Sequence, residues 1–293
     1  MITVRTQLTG IRTLGKKSLK KIRLSKEDIK EFREKIYSYY NGNPRNLTWR
    51  NTKNPYFILV SEVMLQQTQV DRVIPKYEEF IDIFPDFNTL AHASLQNVLQ
   101  SWQGLGYNRR AVALHKTAKK VMEEFSGILP QEPEILQQFP GIGSYTACAI
   151  AAFAFDKPSA FIETNIRSVY IHFFFGDHVD VNDRDLLPLV EKTLDKNNPR
   201  EWYYALMDYG VMLKKKYPNP SRKSSHHQKQ SPFKGSNRQI RGKIIRLLTT
   251  RASIPEQELL TIIDTDNEKI KKIIEQLINE GLIGRRNDVY FIE

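Results

Sequence analysis

Cysteine is nearly absent from this chain of 293 residues, whose single thiol is that of Cys148. One thiol cannot form an internal disulfide or supply a multi-cysteine metal site. Long hydrophobic runs are also missing. None reaches the roughly 18 residues that a membrane helix needs, and the N-terminus is too polar and basic for a secretory signal. We therefore expect an intracellular, cytoplasmic protein with no membrane partner.

Acidic residues are absent from two long spans. Residues 1–26 hold 8 Lys and Arg side chains and residues 209–255 hold 12, whereas the rest of the chain is net acidic although the whole carries a formal charge of +11. Such segregation suits contact with a polyanion, because each phosphate that a cation neutralises releases counterions. A pair of solvated basic segments is the alternative, in particular for residues 1–26.

The hydrophobic pattern divides the chain into four parts. Residues 1–26 form a basic tail, and residues 27–213 show helical patterns broken by Pro and Gly without sustained strand alternation. Residues 214–237 are a basic linker or extended loop, rich in Pro and Ser. Residues 238–293 predict three helices and a hairpin, the order of a winged helix. The predicted fold class is mainly α.

The predicted winged helix leaves two interpretations open. Its third helix suits entry into a major groove, with Arg285 and Arg286 of the hairpin on the backbone. However, Glu268, Glu275 and Glu280 give that helix mixed charge, which favours a packing or protein-contact module. The partner of this segment is therefore DNA or another protein.

A glycine-bent turn joins two predicted helices at Phe139-Pro140-Gly141-Ile142-Gly143-Ser144-Tyr145-Thr146. Gly141 and Gly143 can adopt backbone angles that a Cβ forbids, which brings peptide N–H groups to the start of a helix over residues 144–155. These groups and the helix dipole favour a phosphate. We assign a DNA-backbone contact to Gly141, Gly143, Ser144 and Thr146. An ordinary interhelical turn is the alternative.

A second motif places one carboxylate among apolar and amide side chains, in Ser61-Glu62-Val63-Met64-Leu65-Gln66-Gln67-Thr68-Gln69-Val70. Burial of Glu62 on such a helix would favour its protonated form, as an acid requires. Gln66, Gln67 and Thr68 can bond base edges and have no evident packing purpose. A helix with a buried salt bridge is the alternative.

A third motif, Trp102-Gln103-Gly104-Leu105-Gly106-Tyr107, combines aromatic side chains with two glycines. A glycine-hinged aromatic loop suits wedging between stacked bases. An aromatic plug in the core is the alternative.

Together these motifs closely resemble the adenine-specific mismatch DNA glycosylases of the MutY type, in the helix-hairpin-helix superfamily that includes endonuclease III. The similarity is near-continuous over residues 47–213. It implies two helical lobes with the active site in the cleft between them, and an enzyme that turns a base out of the duplex, as access to a buried glycosidic bond requires.

The resemblance also implies the roles of individual residues. Glu62 is the acid that protonates the departing adenine, Glu163 stabilises or captures the cationic sugar, and Asn165 supports the site. Tyr145 stands where bifunctional relatives carry a Schiff-base lysine, so the enzyme is expected to leave an abasic site without a nick. Trp49, Arg50 and Leu65 match family residues that line the base pocket. The family residues that wedge the duplex and hold the opposing base are matched by Gln67, Thr68, Leu105 and Tyr107.

Three departures from the family pattern stand out. Glu163 replaces an aspartate, and Glu is longer and a poorer helix N-cap, so its carboxylate is expected to shift. The four cysteines of the family's iron–sulfur cluster are absent, with Lys214, Ser221 and Ser224 near three of their positions; we expect no cluster, no metal and no other cofactor. The winged helix stands in place of the family's C-terminal domain that helps to read 8-oxoguanine.

The resemblance implies a monofunctional base-excision-repair glycosylase that removes a mispaired base, adenine opposite 8-oxoguanine or guanine. Its partner would be double-stranded DNA with a mismatch or an oxidised guanine, and in a prokaryote it would associate with the nucleoid. The alternatives are a thymine or uracil mismatch glycosylase and a catalytically weak protein that binds DNA lesions.

Overall fold

The computed structural model describes residues 22–227 and 231–293. Most of the predicted tail, residues 1–21, and residues 228–230 of the predicted linker therefore lie outside the described residues. The described part is mainly helical, which confirms the predicted fold class. Within it, no helix combines the length and the apolar character needed to cross a membrane.

The α-helices of the described residues follow the predicted breaks at Pro and Gly. In chain order they are α1 (Lys26–Gly42), α2 (Pro55–Leu65), α3 (Val70–Ile83), α4 (Phe87–His92), α5 (Leu95–Ser101), α6 (Arg109–Phe125), α7 (Pro133–Leu136), α8 (Ser144–Phe155), α9 (Thr164–Tyr170), α10 (Asp183–Thr193), α11 (Pro199–Lys216), α12 (Asn237–Thr250), α13 (Glu256–Ile263) and α14 (Asn267–Asn279).

The chain folds into two compact units that interleave along the sequence. One contains residues 22–46 and 147–227, and the other contains residues 47–146 and 231–293. The C-terminal segment thus packs with the middle of the chain. The boundaries predicted at residues 26, 213 and 237 remain predictions, although α11 continues to Lys216, three residues into the predicted linker.

The first unit is built around α1, α9 and α11. A capping box begins α1, because the Ser25 side chain accepts from the Asp28 backbone and Asp28 accepts from Ser25 in return. The α1 side chain of Phe32 is fully buried and its ring contacts those of Tyr170 and Trp202 at centroid distances of 5.5 and 5.7 Å. These aromatic contacts form the core that supports α9.

The second unit buries aromatic side chains from α3 and the segment after α5. Phe80 and Trp102 are fully buried and meet edge to face at 5.8 Å. Tyr77, one helical turn before Phe80, packs edge to face on Trp49 at 5.4 Å. This core fixes α2, which carries the second motif, against α3 and α6.

The C-terminal segment of the second unit has the predicted winged-helix order. Its strands are β1 (Ile254–Pro255), β2 (Gly284–Arg286) and β3 (Val289–Phe291), which form an antiparallel sheet in the order β1-β3-β2. The hairpin turns at the predicted dipeptide, where Asn287 and Asp288 both have positive φ.

Two side-chain hydrogen bonds fasten α12 to the rest of the second unit. Gln103 donates to the Thr249 hydroxyl at 2.6 Å, and Gln96 on α5 donates to the Thr249 carbonyl at 3.3 Å. Thr249 is buried, so this end of α12 is anchored against α5 rather than tethered by a linker alone.

Candidate active site

Glu62 lies near the end of an apolar helix in the second unit. Asn54 caps α2 by accepting from the Tyr56 backbone, and Pro55 occupies the first helical position, where no donor is lost. Glu62 is 6% exposed and its neighbours on α2 are buried. The Tyr145 hydroxyl donates to Glu62 Oε2 over a long 3.4 Å. This burial and the neighbouring hydroxyl make Glu62 the candidate acid of the second unit.

Tyr145 lies in the first turn of α8, where the resemblance places a lysine in bifunctional relatives. Its ring is half-buried and its hydroxyl faces the carboxylate of Glu62. This position therefore brings a phenol, and not an amine, beside the candidate acid.

The turn after α2 corrects the interpretation of Gln66. Gln66 donates from Nε2 to the Thr146 hydroxyl at 3.1 Å and to the Gly141 carbonyl at 3.2 Å. The amide of Gln66 therefore has a packing purpose, which the sequence did not reveal. Thr146 is 3% exposed and its hydroxyl holds this turn against the hairpin, while its predicted backbone contact with DNA stays a prediction.

The next two residues differ in exposure. Gln67 is exposed and has φ +54°, an uncommon conformation for a residue with a Cβ. Thr68 is half-buried and its hydroxyl accepts from Arg110 at 3.0 Å. Of this predicted wedge pair, Gln67 is thus the side chain presented to solvent.

Arg110 at the start of α6 was missed by the sequence analysis. It is 6% exposed, and its two terminal nitrogens donate to six oxygens of the second unit at 2.7–3.2 Å, those of Val63, Met64, Gln66, Thr68, Leu105 and Gly106. Burial lowers the pKa of Arg110 to about 10. The sequence signal that could have found it is helical spacing, because Arg110 lies four and seven residues before Leu114 and Thr117 and shares their buried face of α6.

The aromatic loop is shaped by two glycines with positive φ, Gly104 at +95° and Gly106 at +72°. Trp102 is fully buried and donates from Nε1 to the Gly106 carbonyl, so it is the core plug that was the alternative interpretation. Leu105 is 3% exposed and packs inside, and its assignment to the wedge stays a prediction. Tyr107 is half-exposed with φ +48°, and it presents the accessible ring of the loop.

The hairpin glycines serve different purposes. Gly141 has φ +73°, and a Cβ there would meet that of Ala113 at 2.7 Å, so glycine is required as predicted. Gly143 lacks a positive φ, which corrects the prediction, and a Cβ there would meet nothing within 4 Å. Gly143 and Ser144 are both exposed, which leaves their backbone open to an approaching anion.

The three predicted base-pocket residues lie at the two ends of α2. Trp49 and Arg50 belong to a 3-10 turn (Thr48–Asn51) that precedes the helix, with Trp49 buried and Arg50 half-buried. Leu65 is the last residue of α2 and is half-exposed. The accessible part of this set is therefore Arg50 and Leu65.

In the first unit, Glu163 caps α9. Its Oε1 accepts from the backbone of Asn165 at 2.6 Å and of Ile166 at 2.9 Å, and its Oε2 accepts from Asn165 Nδ2 at 3.1 Å. Glu163 thus fills the N-cap position that the family's aspartate would suit better. The expected shift of its carboxylate relative to the sugar stays a prediction.

Lys214 on α11 extends this cluster. Its Nζ donates to Asn165 Oδ1 at 2.8 Å, while Asn165 donates to Glu163. Burial lowers the pKa of Lys214, and the negative charge of Glu163 opposes that shift. A Cβ on Gly210 would lie 2.4 Å from the Asn165 carbonyl oxygen, so glycine is needed for α11 to approach this closely. The sequence placed Lys214 near a missing cysteine and gave no sign of its hydrogen bond to Asn165.

The iron–sulfur cluster that the family usually carries does not fit these residues. Such a cluster is held by four cysteine thiolates, and the chain contains Cys148 alone. Near the missing ligands, Ser221 donates to Asn219 at 2.8 Å, and Ser224 forms a parallel bridge with Val181. Polar contacts of the chain itself hold this segment.

Comparison with known proteins places the chain in a family. Residues 60–200 match the model described as "HhH-GPD superfamily base excision DNA repair protein". The adenine DNA glycosylase of Mycobacterium tuberculosis (strain ATCC 25618 / H37Rv) is 30% identical over 285 residues, which cover 87% of this chain and 91% of that protein. That of Buchnera aphidicola subsp. Baizongia pistaciae is 37% identical over 60% of this chain and 50% of its own length. The human protein of the same name is 36% identical over 64% of this chain and 36% of its own.

The chain thus spans half or less of the length of several curated relatives. Among solved structures, a thermostable thymine-DNA glycosylase aligns with a TM-score of 0.58 and 26% identity, over 67% of this chain and 90% of that one. An endonuclease III–DNA covalent intermediate aligns with a TM-score of 0.51 and 20% identity, over 72% and 92%, which shows the shared fold. The chain belongs to the adenine DNA glycosylase family, within the HhH-GPD superfamily of base excision DNA repair proteins.

Proposed function

We propose that this protein is a monofunctional DNA glycosylase that hydrolyses the N-glycosidic bond of adenine mispaired with 8-oxoguanine or guanine. The observation that carries the proposal is Glu62, a carboxyl group 6% exposed on an apolar helix with the Tyr145 hydroxyl beside it. The relatives named adenine DNA glycosylases support the choice of base.

Glu62 supplies the acid in this mechanism. It donates its proton to a ring nitrogen of adenine, so that the electrons of the breaking glycosidic bond leave on a neutral base. The sugar is left as an oxocarbenium cation. A water molecule adds to the anomeric carbon and its proton returns to Glu62. The products are free adenine and an abasic site.

Glu163 supplies the negative charge that stabilises the cationic sugar. Its two oxygens accept three hydrogen bonds from Asn165 and Ile166, which fix the carboxylate in one orientation. An acceptor site remains on Oε2, since an ionised carboxylate can accept about four hydrogen bonds and Oε2 accepts only one here. A carboxylate oriented in advance is an efficient electrostatic catalyst.

The side chain of Tyr145 accounts for the absence of strand cleavage that we propose. A lyase step requires an amine that forms a Schiff base with the opened sugar. The phenol of Tyr145 cannot form that adduct. The chemistry needs water alone, so we propose that the protein uses no cofactor or metal.

DNA is the proposed partner, and exposed parts of the second unit suit it. Gln67 and Tyr107 both have positive φ and accessible side chains. Gly143 and Ser144 expose backbone at the start of α8, where N–H groups and the helix dipole favour a phosphate. We propose a duplex with a mismatch or an oxidised guanine as the ligand.

Single-turnover base release tests the proposal. Labelled duplexes would carry A opposite 8-oxoguanine, A opposite G, T opposite G or U opposite G, with alkali added to cleave abasic sites. We expect cleavage after alkali at adenine, and none without it. Tight binding with no release from any duplex would instead indicate a protein that binds lesions without turnover.

Thymine release is the second candidate function, because the aligned thymine-DNA glycosylase is 26% identical over two thirds of this chain. Release from the T–G duplex at a rate matching or exceeding that from the adenine duplexes would favour it.

A further inference from the structure

A groove of about 580 Å³ in the second unit plays no part in the proposed chemistry. It lies between α12 and the segment 103–109 that contains the aromatic loop. Glu280 is the one carboxylate among its lining residues. Five arginines line it: Arg72, Arg109, Arg238, Arg241 and Arg246. The groove therefore carries a strong positive charge.

One face of α12 forms a wall of this groove. Residues 238, 241, 242, 245 and 246 line it, and their spacing of three and four residues places them on the same side of a helix. The sequence of α12 contains four basic residues and no acidic one. Such a one-sided stripe of arginine is typical of a surface that faces phosphates.

Within the part of the chain that the structure describes, most of these charges are not neutralised by a carboxylate. Arg72 donates to the Gly104 carbonyl at 2.7 Å and Arg238 to the Ser231 carbonyl at 2.6 Å, and within residues 22–227 and 231–293 neither pairs with a carboxylate. Arg109 and Arg246 are exposed and have no carboxylate partner among the described residues. Arg241 differs, since it pairs with Glu280.

The groove includes two residues that the proposed function assigns to DNA contact. Gln67 and Tyr107 line it together with α12. Phe233 also lines it and is 61% exposed. Exposed aromatic rings beside arginines are suited to stacking on nucleobases.

The helix that a winged helix usually places in a major groove is less suited to DNA here. Glu268, Lys272 and Glu275 share one exposed face of α14, which gives it mixed charge. Arg285 in the hairpin pairs with Glu256 at 3.2 Å and with Asp288. The positive surface of this segment is therefore that of α12.

We propose that α12 and the 103–109 segment together bind the sugar–phosphate backbone of DNA, with Phe233 against an exposed base. The winged helix thus extends the DNA surface of the glycosylase through its first helix. This inference rests on the proposed function for the presence of DNA, and it does not depend on base release.

Position 242 gives the sharpest test, because a Cβ on Gly242 meets nothing within 4 Å. Gly242→Glu and Gly242→Lys add side chains of opposite charge to the groove wall, and the Cβ of either one has open space. With a duplex carrying a tetrahydrofuran abasic-site analogue opposite guanine, we expect the Kd to rise about threefold or more for Glu and to fall for Lys, since phosphate contacts are electrostatic. Equal Kd values for the two variants would overturn the proposal.

A matched pair of double variants tests the choice of helix. Arg238→Glu with Arg246→Glu should weaken binding on the order of tenfold and reduce the slope of log Kd against log salt by roughly 2. The control, Lys272→Glu with Arg286→Glu, reverses two charges on α14 and the hairpin and should stay within about twofold of wild type. A control that weakens binding as much as the α12 variant would contradict the proposal, as would Phe233→Ala binding as tightly as wild type.

The tetrahydrofuran duplex is not a substrate, which separates this proposal from the enzymatic one. Weaker binding by the α12 variants, without base release from any mismatch, would keep the α12 surface and reject the glycosylase. Base release with unchanged binding across all variants would keep the glycosylase and reject the α12 surface.

Discussion

Nη1 of Arg110 lies 2.8 Å from the carbonyl oxygen of Met64, two residues after Glu62 on α2. Nη2 of the same guanidinium lies 3.0 Å from the carbonyl oxygen of Gly106 in the aromatic loop. The last carbonyls of a helix have no partner within the helix. Here the buried Arg110 guanidinium donates hydrogen bonds to those of Val63 and Met64. Arg110 thereby joins the helix that carries the candidate acid to the loop that presents Tyr107.

Replacing Arg110 is expected to destabilise the protein. Arg110→Met leaves buried oxygens without donors, at a cost of about 1–3 kcal/mol for each that water cannot reach. Arg110→Lys keeps the charge with three donors in place of five. Its stability should lie between those of the wild type and Arg110→Met. Thermal unfolding measures the change, with the exposed neighbour variant Arg109→Met as the control. An unchanged Tm for Arg110→Met would contradict this role.

Lys214 is expected to position Glu163 through Asn165. Lys214→Met should slow single-turnover base release on the order of tenfold while the Kd for DNA stays within about twofold, because the side chain orients a catalytic group and does not bind the substrate. Lys215→Met, on the exposed side of the same helix, is the control. Equal slowing by both variants would indicate a general loss of charge.

The lowered pKa of Lys214 also predicts a dependence of stability on pH. The unfolded chain binds this proton more tightly than the folded protein, so the contribution of Lys214 to the free energy of unfolding rises with pH. The rise begins at the lowered folded pKa and ends near the ordinary value of 10.5. Denaturant melts at several pH values should show that Lys214→Met lacks this increment. Parallel curves for the variant and the wild type would contradict the burial of the ammonium.

Two substitutions of Glu163 separate its charge from its cap. Glu163→Gln keeps an oxygen that can accept from the backbone of Asn165 and Ile166, so the Tm should change little. Loss of the negative charge should slow base release about 100-fold or more. Glu163→Ala should lose both the negative charge and the helix cap, and loss of the cap should lower the free energy of unfolding by roughly 1 kcal/mol. If Glu163→Gln released base as fast as wild type, Glu163 would have no electrostatic role.

Introducing an amine at position 145 is expected to add a lyase activity. Tyr145→Lys should form a Schiff base with the abasic site, which borohydride traps as a covalent protein–DNA complex. Tyr145→Phe is the control and should give no trapped complex. A variant that neither nicks nor traps would contradict the placement of residue 145 at the reacting sugar.

The main helices and the positions of the motifs were predictable because hydrophobic periodicity and the Pro and Gly breaks are local signals. The order of the winged helix and its turn at Asn287-Asp288 followed in the same way. The position of Glu62 on a buried helix was also predictable, since its neighbours in the sequence are apolar.

The support of the site was not predictable, because it depends on contacts between distant residues. Gln66 meets Thr146 across 80 positions, and Lys214 meets Asn165 across 49. Nothing in the local sequence indicates that the polar groups of Gln66 and Thr146 satisfy each other inside the protein. The capping geometry of Glu163 likewise depends on backbone angles that composition does not specify.

The most direct test of the central claim compares wild type with Glu62→Gln in single-turnover release of adenine opposite 8-oxoguanine. Glutamine keeps the size of the side chain and cannot donate a carboxylic proton. We predict adenine release by wild type, a loss on the order of 100-fold or more in the variant, and a Kd for the tetrahydrofuran duplex within about threefold of wild type. Equal release by the two proteins would contradict the assignment of Glu62 as the acid on which the account rests.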